Sequence, residues 1–188
     1  MIRFLCLYFK YIIEKLTNLR SVSFHGFTVL FAYPSSSISL LGTRQKKITI
    51  NSSSLSNLVG MSQRTIIVAR HGAKIEIGAG CGISGSTIYA MEKIEIGEDV
   101  LIGANCKIID NDFHPLSIEK RNPQHVEDIK KSPVVIGDGC FVGANSIILK
   151  GTTLGKNCVV GAGSVVCGSF PDDVIIAGNP AKIIKKNM

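Results

Sequence analysis

The residues best suited to chemistry lie in the stretch IIDNDFHPLS, Ile108–Ser117, where His114 follows Asp110 and Asp112 at even spacing. Imidazole titrates near neutral pH and can therefore take or give a proton, while a nearby carboxylate can orient it or stabilise its cation. Residue types alone leave two readings open: a general base with orienting acids, or a surface-loop histidine among solvated carboxylates. His25 lies near the N-terminal segment, His71 precedes the regular pattern described next, and His125 is a candidate only for substrate contact.

That pattern is a six-residue repeat, which the stretch interrupts. From Ile136 the chain reads IGDGCF, VGANSI, ILKGTT, LGKNCV, VGAGSV, so that Ile136, Val142, Ile148, Leu154, Val160 and Val166 are each six apart. Ile96, Ile102 and Ile108 keep the same step upstream, as do Ile77 and Ile83 before one longer step, YAMEKIE. Glycine commonly follows the aliphatic, and a small residue commonly lies four places after it: Cys81, Thr87, Val100, Cys106, Cys140, Ser146, Thr152, Cys158 or Ser164. A period of six fits neither a helix nor a simple hairpin. It fits a short strand plus a corner, wound into stacked coils, with the aliphatic and the small residue both pointing inward. The spacing of 28 from Ile108 to Ile136 is not a multiple of six. Residues 111–133 must therefore leave the coil as a loop, in agreement with Pro115, Pro123 and Pro133, and excursions from rigid scaffolds often carry functional groups.

The 188 residues fit one domain, 45% apolar and only 6% aromatic, with 19 glycines and no tryptophan. A net charge of +7 points to an anionic partner, whether nucleic acid, a phosphate-bearing cofactor or a membrane surface. Residues 1–20 have Ile2, Leu5, Cys6, Phe9, Ile12, Ile13 and Leu16 at helical spacing and predict an amphipathic helix that packs on protein, with a membrane surface as the alternative. Residues 21–73 read as irregular early coils, 74–170 as the repeat domain, and 171–188 as a closing loop and basic tail. Cys81, Cys106, Cys140 and Cys158 occupy the small inward position, and no CxxC occurs. They read as core filling in a reducing cytoplasm, not as disulfides or metal ligands.

On these residues the sequence resembles the hexapeptide-repeat acyltransferases. The resemblance rests on IGDGCFVGANSIILKGTTLGKNCVVGAGSVV followed by AGNPAKII, and covers roughly Lys74 to the C-terminus. The branch is that of sugar and polysaccharide O-acetyltransferases, including the maltose and galactoside enzymes. The resemblance implies an all-β fold, a left-handed parallel β-helix of hexapeptide repeats, here with the N-terminal amphipathic helix and one extended loop. It also implies a homotrimer with its cleft between subunits.

DNDFHPL resembles the family motif that carries the general base, which makes His114 the candidate base and Asp110 and Asp112 candidates to orient it. The implied reaction moves acetyl from acetyl-coenzyme A to a hydroxyl of a sugar or glycan intermediate. Implied donor contacts are Ala144 and Ala162, the pair Cys167 and Gly168, and the cations Lys182 and Lys185. Many relatives carry Thr-Lys where this chain has Cys167-Gly168, so a backbone contact is kept but a side-chain contact to phosphate is lost. Phe141 takes a position often held by a large residue beside the cofactor. Ser84 and Ser86 are the candidates for acceptor contact, or simple turn caps. A metal is not expected: the γ-class carbonic anhydrases share the scaffold, but His71, His114 and His125 lack that family's closely spaced ligand pair. No nucleic-acid partner is expected. N-acetylation of an amino sugar and a noncatalytic scaffold remain the alternatives.

Overall fold

The computed structural model describes residues 21–25, 28–33, 35–53, 63–70, 72–121 and 126–187, together with the backbone of Leu16–Thr17. The chain winds as a triangular coil. Its first turn comprises β1 (Leu16–Thr17), β2 (Val22–His25) and β3 (Val29–Ala32), and its second β4 (Ser37–Leu40), β5 (Ile48–Asn51) and β6 (Ile66–Ala69). The third holds β7 (Lys74–Ile77), β8 (Gly82–Ser84) and β9 (Thr87–Ala90), and the fourth β10 (Lys93–Ile96), β11 (Leu101–Ile102) and β12 (Lys107–Ile109). After a long excursion come β13 (Val134–Ile136), β14 (Phe141–Val142) and β15 (Ile147–Ile148). Then follow β16 (Thr153–Leu154), β17 (Val159–Val160), β18 (Val165–Val166), β19 (Ser169–Phe170) and β20 (Val174–Gly178). The last strand, β21 (Ala181–Lys186), turns back antiparallel to β20.

Every third strand stacks in parallel on the one before, giving three sheets. The first runs β1-β4-β7-β10-β13-β16-β19, the second β2-β5-β8-β11-β14-β17-β20-β21, and the third β3-β6-β9-β12-β15-β18. This register turns the six-residue step into three interior columns. Leu40, Ile77, Ile96, Ile136 and Leu154 are in register in the first sheet. Ile50, Ile83, Ile102, Val142, Val160 and Ile176 form the second column, and Ile67, Ile88, Ile108, Ile148 and Val166 the third. All are buried, each contributing about 1.5–3 kcal/mol over the exposed state.

The glycine after the aliphatic is required by stacking. A Cβ on Gly78 would lie 2.4 Å from the carbonyl oxygen of Gly97 in the next coil. Tight corners instead use left-handed backbone, as at Asn105 and Asn145, both with φ 62°. The four repeat cysteines are buried and unbridged. Cys81 and Cys140 donate to the carbonyls of Gly97 and Gly155, each at 3.0 Å. Burial pushes the Cys81 thiol up to about 11 and the Cys140 thiol up to about 12.

Three expectations change. The segment expected as irregular early coils contains regular strands, with Val22, Phe24 and Ile50 already in coil register. The predicted N-terminal helix lies mostly outside the described residues, and its positions Leu16 and Thr17 form a strand paired with Ile38 and Ser39. Thr87 is not an inward residue. The third coil is one residue short at Gly85, φ 44°, so Ser86 takes the interior place and Ile88 follows Ile83. Among the described residues no helix is long and apolar enough to cross a membrane.

Candidate active site

The excursion leaves the third sheet after Ile109 and rejoins the first at Val134, close to the expected bounds. Its base is closed by an antiparallel bridge between Asn111 and Lys131. The N–H of Ser132 donates to the carbonyl of Asp110 (2.9 Å), and that of Asp112 to the carbonyl of Lys130 (3.0 Å). The Asp110 carboxylate is fully buried. It accepts the N–H groups of Met91, Glu92 and Lys93 at 2.8, 2.7 and 2.8 Å, and the Asn111 amide at 3.0 Å. These are the donors of the corner one coil below, which would otherwise be orphaned. Asp110 therefore anchors the loop to the wall, and its expected role as a direct partner of His114 is replaced by this one.

Beyond the anchor the chain makes a γ-turn. The N–H of His114 donates to the carbonyl of Asp112 at 2.7 Å, and Phe113 between them has φ 60°, a strained conformation for a residue with a side chain. The N–H of Phe113 is held by the side-chain oxygen of Asn111 at 2.9 Å. Its ring packs on Tyr89, centroids 4.9 Å apart. The hydroxyl of Tyr89 accepts from Arg70 at 2.9 Å, and the Arg70 guanidinium lies over the Tyr33 ring at 4.5 Å. On the other side, Lys150 in the turn between β15 and β16 pairs with Oδ1 of Asp112. Oδ2 of Asp112 is buried without a hydrogen-bond partner among the described residues. His114 is left exposed, and Arg121 closes the turn behind it by donating to the carbonyls of Pro115 (2.9 Å) and Leu116 (2.5 Å).

Four of the other candidates occupy two edges of the prism. Cys167 and Gly168 share the edge of His114, one coil beyond Lys150, since Leu149 donates to Val166 and Thr153 to Gly168. Ala144 and Ala162 stack on the opposite edge of the third sheet, in the corners after β14 and β17, where a Cβ on Gly143 would meet the Ala162 nitrogen at 2.6 Å. Ser84 faces outward on the second sheet, in a shallow groove of about 300 Å³ with Asn51, Leu101 and Phe141. Ser86 does not reach that groove. It is fully buried, donates to the carbonyl of Gly103 at 2.8 Å and accepts from the N–H of Cys106 at 2.9 Å, so its expected acceptor role is corrected to a structural one. Lys182 and Lys185 are exposed on β21, opposite Ala177 and Ile175. His71 and His125 lie outside the described residues. Lys150, Tyr89 and Phe113 were not anticipated. The alternation along β9 signalled an outward Tyr89, but the pairing of Lys150 with Asp112 spans 38 residues and needs the coil stacking.

The family model described as the hexapeptide repeat of succinyl-transferase matches residues 93–109 and 133–167, the two sides of the excursion. The stacked coils on both sides of the excursion thus carry the hexapeptide repeat of the acyltransferases. A putative lipopolysaccharide biosynthesis O-acetyl transferase, WbbJ, of Escherichia coli strain K12 is 41% identical over 104 residues, covering 53% of each chain. The solved polySia-specific acetyltransferase NeuO superposes with a TM-score of 0.57 at 25% identity, over 89% of this chain and 70% of that one. A galactoside acetyltransferase in complex with coenzyme A gives 0.54 at 22% identity, over 95% and 69%. The fold of this hexapeptide-repeat chain is the left-handed parallel β-helix. The chain spans little more than half the length of WbbJ, and 36% of a probable acetyltransferase of Mycobacterium tuberculosis, strain H37Rv.

Proposed function

We propose that the protein transfers an acetyl group from acetyl-coenzyme A to a hydroxyl of a sugar or surface-polysaccharide intermediate, with His114 as general base. The observation that carries this reading is the presentation of an exposed histidine on a pinned γ-turn, at the head of the excursion that separates the two matched stretches of the repeat. The names of WbbJ and of the galactoside enzyme support the acceptor class and the donor.

The chemistry asks for a neutral base. Imidazole takes the proton of the acceptor hydroxyl as its oxygen attacks the thioester carbonyl. The carbonyl oxygen becomes an oxyanion, for which a backbone N–H is the expected donor. Collapse of the tetrahedral species breaks the carbon–sulfur bond, and the imidazolium returns the proton to the leaving thiolate. The donor would lie along the corners of Ala144 and Ala162 and the Cys167–Gly168 backbone, with its phosphates toward Lys182 and Lys185. Ser84 would meet the acceptor.

His114 with the Cys167–Gly168 backbone and the alanine corners occupy two edges of one prism, separated by the mostly apolar outer face of the third sheet, which carries Tyr89, Ile109, Ile147 and Val165 beside Thr87 and Lys107. A second copy seated on that apolar face would bring the edges together, which supports a homotrimer with the cleft between subunits. A cytoplasmic setting fits the unbridged buried thiols; for the N-terminal segment, packing on protein is the reading and contact with a membrane surface the alternative.

The test is turnover of acetyl-coenzyme A against a panel of hydroxyl and amino sugars and lipid-linked glycans, with His114→Ala alongside. The expected result is O-acetylation, reduced about 10²–10⁴-fold in the variant while coenzyme A binding is kept. Unchanged turnover in His114→Ala would remove His114 as the base, no turnover on any acceptor would leave a noncatalytic scaffold, and product on amino groups alone would make the enzyme an N-acetyltransferase.

A further inference from the structure

Lys150 sits where the two arms of the excursion and the wall meet. The next residue, Gly151, donates its N–H to the carbonyls of Ser132 and Pro133, both at 3.1 Å, so the excursion's exit fixes the turn that carries Lys150. The ammonium of Lys150 reaches across to Oδ1 of Asp112 in the entry arm. Asp112 is also the residue whose carbonyl closes the γ-turn to the N–H of His114 at 2.7 Å. Its other carboxylate oxygen, Oδ2, is buried and has no hydrogen-bond partner among the described residues. A buried acceptor left in that state is destabilising, and the side-chain N–H donor on the same turn is the imidazole of His114.

The other charged groups around Asp112 are placed for different work. Asp110 is occupied by the N–H groups of residues 91–93, and Lys131 donates to the carbonyl of Met91 at 3.5 Å. Lys130 meets Asp112 through its backbone carbonyl, and Glu92 meets Asp110 through its backbone N–H. Among the described residues, Lys150 is the ion-pair partner of Asp112.

We propose that Lys150 is a positioning residue for His114, acting through Asp112. It fixes the carboxylate so that Oδ2 can hold one imidazole nitrogen while the other faces the acceptor, and its positive charge offsets the field of Asp112 at the ring. The inference rests on the reading of His114 as the base.

The sign of the electrostatic effect is determined by this arrangement. Removing the ammonium leaves Asp112 uncompensated, which favours imidazolium and moves the acidic limb of the kcat/KM profile to higher pH. Removing the carboxylate charge instead moves it to lower pH. The experiment is therefore the pH dependence of kcat/KM for Lys150→Met, Lys150→Arg and Asp112→Asn, each checked for folding by circular dichroism. Lys150→Met is expected to raise the midpoint of the acidic limb by about half a unit to one unit, the scale of a partly screened neighbouring charge. It is also expected to lower kcat about 10–100-fold, the scale of a misplacement near one ångström, with the KM for acetyl-coenzyme A within about twofold. Lys150→Arg restores both, and Asp112→Asn moves the midpoint the opposite way. An unmoved midpoint in Lys150→Met overturns the proposal, whatever happens to kcat. Should that variant fail to fold, an unmoved or raised midpoint in Asp112→Asn overturns it instead. If His114→Ala keeps full turnover, the base reading itself has failed; if it loses turnover while the Lys150 midpoint stays put, only this inference has.

Discussion

The carboxylate of Asp110 accepts the backbone N–H of Met91 at 2.8 Å from one coil away, and with Glu92 and Lys93 it satisfies three consecutive donors of that corner. The loop bearing His114 thus starts from a fully buried charge welded to the wall. Asp110→Ala would orphan those N–H groups at roughly 1–3 kcal/mol each. Since about 1 kcal/mol shifts Tm by 2–4 °C at this chain length, a fall on the order of 10 °C is expected by circular dichroism. Asp110→Asn, which keeps one carbonyl acceptor, should fall less. Equal Tm for wild type and Asp110→Ala would show that the anchor carries no weight.

Much of the wall was legible because a six-residue period admits few structures: the aliphatics from Ile77 to Val166 fall in the interior columns that the spacing implies. The one-residue slip at Gly85 was not legible, because Ser86 and Thr87 are both small and polar and either could have faced inward. Asp110 and Asp112 look alike in DNDFHPL, yet one is fully buried under backbone donors and the other meets Lys150. Their difference is set by the coil below and the coil above, which the linear sequence does not display. The early coils could be expected but their strands could not be placed, because their corners carry insertions of unequal length, as between β5 and β6, so the period fails while the stacking persists.

The buried thiols give a pH-dependent prediction. Burial raises Cys81 to about 11 and Cys140 to about 12 from an ordinary value of 9.0. A thiol that must stay neutral when folded contributes fully below pH 9, and its contribution is lost as pH rises from there through the folded value. The denaturant midpoint should therefore hold from about pH 7 to 8.5 and fall above pH 9, less steeply in Cys140→Ala. At pH 8 a thiol reagent should label the exposed Cys167 quickly and the four buried cysteines only on unfolding, measured in a Cys6→Ser background. Acetyl-coenzyme A should slow the labelling of Cys167 if the donor lies along that edge. Rapid labelling of more than one thiol in the native protein would contradict the burial.

The basic end offers the sharpest check on the donor's position. Lys182 and Lys185 are three apart, so simple strand alternation would put them on opposite faces. The irregularity in β20–β21 at Ile175/Ile176 changes this, pairing Lys182 with Ala177 and Lys185 with Ile175. Ala177 and Ile175 alternate with the buried Val174 and Ile176, so both lysines fall in the outward register of the second sheet. Two cations on one face can meet the phosphates of coenzyme A together. The Lys182→Ala/Lys185→Ala variant should weaken coenzyme A binding by about 5–30-fold at low salt, the equivalent of roughly 1–2 kcal/mol for two exposed charges. The difference should shrink as salt screens the phosphates, and binding of pantetheine, which has none, should not change. Equal loss for pantetheine would mean that the substitutions disturb the β20–β21 pairing. An unaltered dissociation constant for coenzyme A at low ionic strength would take both lysines out of the donor site.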